Sequence, residues 1–145
     1  MNETTNREII REAFEAWSAG RGSVFDLLAD DAVWTIVGNS AAAGTYQSRA
    51  EFLDRVIRPF NARLSTPLVP TVRALYADGD TVIAYFDASA TARDNRPYNN
   101  TYTWYLKLQD GAVTNATAFF DSIAFEGLWA CVEPAEERCA LPRHP

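Results

Sequence analysis

Two apolar runs of this 145-residue chain carry an acid where buried side chains are usual: Asp121 in TAFFDSIAF and Asp87 in IAYFDASA. Phe119, Phe120, Ile123 and Phe125 surround the first, and Tyr85 and Phe86 precede the second. Burying a carboxylate is costly unless it is paired, hydrogen-bonded or protonated. An acid lifted by apolar surroundings toward neutral pKa can take a proton from carbon, so Asp121 is the candidate general base. Asp87 is its candidate partner, bonded to Asp121 or to substrate and sharing a proton as coupled carboxylates do. Each acid also has a structural reading. Asp87 could sit on a subunit interface or at a strand end, and Asp121 could cap the turn or helix that DSIAF would begin.

Other residues fit a pocket around such acids. Tyr85, Asn100 and Tyr102 can donate to a developing oxyanion or hold a water. Trp17, Trp34, Phe52, Phe60, Trp104 and Phe119 can wall a hydrophobic, cyclic molecule with one or two oxygens.

The elements that must position these residues are legible. Ile9, Ile10, Ala13, Phe14 and Trp17 recur at helical spacing, with Thr4 or Thr5 able to cap the start and Gly20 to end it. A short helix is expected over 24–28 and a strand over 32–37. In SRAEFLDRVIRPF, Ser48 and Glu51 form a capping box before an apolar stripe, and Pro59 marks the expected end. Four strands follow over 68–76, 81–92, 97–109 and 112–120, separated by DGD, RDNRP and DG turns. Short turns between consecutive strands make an antiparallel meander, and helices followed by strands give an α+β domain.

Alternation along strands sorts the faces. Asn100, Tyr102, Trp104, Leu106 and Leu108 share one face and Lys107 lies on the other, so the first set is expected to face the helices. Ile83, Tyr85, Asp87 and Ser89 form one set, and Thr117, Phe119 and Asp121 another. Both faces of the sheet are apolar, which implies that helices cover one and a second copy of the chain the other.

The totals exclude several classes. The chain is 48% hydrophobic and 22% charged, with a net charge of −6 and no basic run, so it is not disordered and nucleic acid is not an expected partner. No apolar stretch approaches the ~20 residues of a membrane helix, and MNETTNREII has no signal-peptide core, so a cytoplasmic protein is expected. Cys131 and Cys139 read as reduced thiols or as a disulfide tying the tail. The one histidine, His144, is penultimate, so neither a metal site nor a cofactor is expected.

Four runs, AFEAWSAG, LLADDAVWTIVG, AGTYQSRAEFL and YTWYLKLQDGAVTNATAFFD, occur in the order found in the SnoaL-like branch of the NTF2-like superfamily. The resemblance spans about residues 5–128. It implies a cone: a curved, mostly antiparallel sheet with about three N-terminal helices on its concave face, in one domain over 1–130 with a tail over 131–145. Relatives include ketosteroid isomerase, limonene epoxide hydrolase and nuclear transport factor 2. The isomerase-like catalytic set is missing: Thr35 or Ile36 stands at its base, Ala13 or Phe14 at its tyrosine, Thr103 or Trp104 at its donor acid. Of the epoxide hydrolase-like set, Asp121 and Asp87 match the two aspartates, whereas Tyr85, Trp34 and Ile36 replace the arginine, tyrosine and asparagine. SnoaL-like cyclases use a last-strand acid as base, a role that Asp121 matches without the accompanying histidine. The expectation is therefore a cofactor-independent isomerase or cyclase acting through Asp121 and Asp87. The alternatives are a homodimeric binding or interaction protein without turnover, and epoxide hydrolase-like water addition.

Overall fold

A computed structural model of the chain describes residues 2–135, so Cys139 and His144 lie outside the described residues. Helix α1 (Glu3–Ser18) buries Ile10 and Phe14 and half-buries Trp17, one stripe at i, i+4 and i+7. Its cap is Asn2, whose side-chain oxygen accepts from Thr5 N at 2.8 Å; Thr4 and Thr5, the expected caps, lie inside the first turn. Gly20, at φ +75°, closes the helix with Arg21 N donating to Ala16 O at 2.8 Å.

A 3-10 turn, Val24–Leu27, follows under a reciprocal cap. Ser23 Oγ accepts from Phe25 N (3.1 Å), and Asp26 Oδ2 accepts from Ser23 N (3.0 Å). The next helical passage is α2 (Arg49–Phe52), a π turn (Leu53–Ile57) and α3 (Arg58–Asn61). Proline was expected to end it, yet the helix runs past Pro59. One turn earlier the backbone widens, with Arg58 N reaching back to Leu53 O, which makes room for a ring that would otherwise strike the carbonyl four residues before it.

The six strands are β1 (Leu28–Ile36), β2 (Gly44–Tyr46), β3 (Val69–Asp78), β4 (Thr81–Thr91), β5 (Pro97–Gln109) and β6 (Ala112–Phe120). Helix α4 (Ser122–Trp129) closes the described fold. The sheet order is β2-β1-β6-β5-β4-β3. Strands β3 to β6 form the expected antiparallel meander, and β1 runs parallel to β6. The β5–β6 turn is Asp110-Gly111 at φ +51° and +82°, the paired left-handed geometry that a two-residue hairpin needs. Helix α1 packs on β3 and β4, α2 on β1 and β2, and α4 on β5, giving an α+β cone. No helix among the described residues is long and apolar enough to cross a membrane.

Register fixes the faces. In β4, Val82, Ala84, Phe86 and Ala88 are buried opposite Leu106, Trp104, Tyr102 and Asn100 of β5. Tyr85 and Asp87 lie opposite Thr103 and Thr101, on the outer face. Directly opposed residues share a face of the sheet, so once Tyr102 and Trp104 point inward Asp87 must point out.

Candidate functional site

Between the helices and the inner face of the sheet lies a cavity of ≈ 960 Å³. Trp104 of β5 is its central wall. Its ring stacks on Trp17 (5.9 Å, 19°) and meets Trp34 and Phe86 edge-on at 5.0 and 4.8 Å. Trp34 in turn stacks on Phe52 at 4.3 Å, which places Phe52 behind the lining rather than on it. Trp17, Trp34, Phe60, Tyr102 and Trp104 all line the space, joined by Phe25, Phe86, Phe120 and Phe125. Leu53, Val56 and Ile57 of the π turn form part of the same wall.

Tyr102 ends a short polar relay. The side-chain oxygen of Asn100 accepts from Thr101 N (2.7 Å) and Asp121 N (3.0 Å); its amide donates to Asp121 O (3.0 Å) and Tyr98 Oη (2.8 Å). Two backbone donors on one atom fix which end of the amide is oxygen. Tyr98 Oη therefore accepts from Asn100, and it lies 2.7 Å from Tyr102 Oη. Two phenols share one bond, so one hydroxyl proton is left over. Of the two tyrosines, Tyr102 lines the cavity. Burial raises the pKa of both, that of Tyr102 far more, so each keeps its proton at neutral pH.

Neither aspartate faces this space. Asp87 projects from the outer face, accepting from Arg73 Nε (2.6 Å) and Thr101 Oγ1 (2.7 Å). Those two bonds, that from Thr101 foremost, hold its carboxyl below the ordinary range, opposite to the raised value that sharing a proton would need. Asp121 is exposed and is the N-cap of α4, accepting from Ile123 N (2.9 Å) and Ala124 N (3.4 Å). Tyr85 and Phe119 are 37% and 47% exposed on the outer face. The structure thus separates Asp87, Asp121, Tyr85 and Phe119 from the cavity; apolar runs at β period divide their side chains between the two faces. Asn100 is buried one layer behind Tyr102.

The sequence profile of the SnoaL-like domain matches residues 10–116. The chain belongs to the SnoaL-like family. No match is found among curated proteins. Solved structures share the fold. Bal32a, from a soil-derived mobile gene cassette, is 20% identical with a TM-score of 0.70, over 88% of this chain and 98% of that one. An NTF2-like protein of Burkholderia thailandensis is 21% identical at TM-score 0.69, over 85% and 95% of the two chains. TerC, crystallised with polyporic acid, is 18% identical at TM-score 0.68, over 86% and 98%.

Two charged residues of this SnoaL-like cavity escaped the sequence reading: Asp26 and Arg49. Arg49 had a signal, because residues 49, 53, 56 and 60 lie at helical spacing with the apolar stripe of the second helical passage. Asp26 had a weaker one, its place three residues after Ser23 in a capping box.

Proposed function

We propose that this SnoaL-like chain holds a flat, hydrophobic, oxygen-bearing small molecule. The rings of Trp17, Trp34 and Trp104 take its apolar body, and Tyr102 donates to its oxygen. The Tyr102 hydroxyl, the end of the Asn100–Tyr98–Tyr102 relay on the lining of a ≈ 960 Å³ aromatic cavity, is the observation that carries this reading. When Tyr98 donates to Tyr102, the Tyr102 proton is free for a ligand oxygen, and that bond recovers the cost of burying it without an acceptor. The test uses 1-tetralone and its hydrocarbon tetralin, titrated by tryptophan quenching. The ketone is expected to bind about fivefold tighter, and Tyr102→Phe to abolish that preference. Equal binding of both by the native chain overturns the reading.

A second reading is turnover of the isomerase or cyclase type. Asp26 favours it, as the one carboxylate on the cavity lining among the described residues, with Tyr102 as donor to the developing oxyanion. Exchange of the 1-tetralone protons beside the carbonyl in deuterated water, followed by NMR, decides it. Accelerated exchange lost in Asp26→Asn supports turnover, and no acceleration by the native chain leaves a binding protein. The aromatic outer face of the sheet is the proposed seat of a homodimer.

A further inference from the structure

We infer that the ligand of this cavity is an anion, a carboxylate held by Arg49. Arg49 is half-buried at the start of α2 and is the one cation on the cavity lining among the described residues. Its Nε donates to the Phe25 carbonyl at 3.4 Å, which anchors the guanidinium over the 3-10 turn.

Arg49 has no acid partner, a lack it shares with Arg7 and Arg21 among the described residues, but of the three it alone lines the cavity. Arg11 sits on Glu8, Arg55 on Glu51, Arg58 on Asp54, Arg73 on Asp87 and Arg96 on Asp94. No carboxylate among the described residues comes within 4.0 Å of a nitrogen of Arg49. Asp26, on the same lining, instead spends an oxygen on Ser23 N in the turn's cap. A chain of net charge −6 is poor in places where an anion is welcome. An unpaired, half-buried guanidinium on the lining of a cavity rich in aromatic rings is such a place, because partial burial strengthens the attraction and the planar fork matches a carboxylate. Asp26 keeps a second negative group on the same lining, so a monoanion fits better than a dianion.

The inference rests on the cavity being a small-molecule site, and the test separates the two. 2-Naphthoate and the isosteric 2-naphthamide are titrated into the full chain at neutral pH by tryptophan quenching. The acid is expected to bind about tenfold tighter than the amide, and Arg49→Gln to bring the two within about twofold. Arg49→Lys keeps the charge without the fork; should Arg49→Gln fail to fold, it decides, with the preference reduced to a few-fold expected. A preference unchanged in the folded variant overturns the assignment to Arg49. Equal binding of acid and amide by the native chain overturns the anion inference while the cavity remains a ligand site. Quenching by neither overturns both.

Discussion

Asp121 shows how far a helix cap can resemble a catalytic acid in sequence. Asn caps a helix about as well as Asp, whereas Ala costs about 1 kcal/mol. Urea denaturation should therefore find Asp121→Asn within a few tenths of a kcal/mol of the native chain and Asp121→Ala less stable by about 1 kcal/mol. Neither change is expected to alter 1-tetralone affinity, and a large loss in Asp121→Asn would return this acid to the site. The phenylalanines that surround it in sequence are the reason it misled. Phe119 and Phe120 are adjacent, so one points out and one in, and an apolar run at this spacing says nothing of where the next acid goes. Asp87 was decidable. Pairing β4 with β5 in register, with Lys107 kept in water, puts Thr101 and hence Asp87 outside.

At the scale of elements, local chemistry was easy to read and distant pairing was not. The bounds 97–109 and 112–120 coincide with β5 and β6, because Asp110-Gly111 permits one tight geometry between two alternating runs. Strand β2, three residues long, starts at the last glycine of the small-residue run 38–44 and is held by pairing with β1, which leaves no periodic signal. The π turn was hidden for a related reason: it answers the bulk of Pro59 while both flanking turns stay helical. That turn makes a prediction. Deleting Asp54, exposed on its outer side, should tighten the passage to a regular helix in which Arg58 still follows Leu53 by one turn, so Phe60 stays on the cavity wall while the Pro59 ring loses the room the wide turn gives it. Urea denaturation should find the deletion less stable, by up to about 3 kcal/mol, with 1-tetralone affinity kept; unchanged stability would show that the wide turn does not accommodate the proline.

Over the whole molecule the outer face is what remains to be covered. Tyr76, Tyr85, Tyr105 and Phe119 are 58%, 37%, 38% and 47% exposed, with Tyr105 and Phe119 packed edge to face at 5.8 Å. A homodimer through this face predicts a sedimentation mass twice that of the chain, reduced to the monomer by Phe119→Glu with near-native stability. A monomeric native chain at micromolar concentration would rule out that assembly. The parallel pairing of β1 with β6 has its own outcome. The strand that begins the sheet has no central neighbour until the strand that ends it exists, so β1 and β2 wait as an unsupported hairpin while the intervening chain is made. Closing that long loop is a late and slow event, and a ribosome must release the chain through Phe120 before its hollow can form.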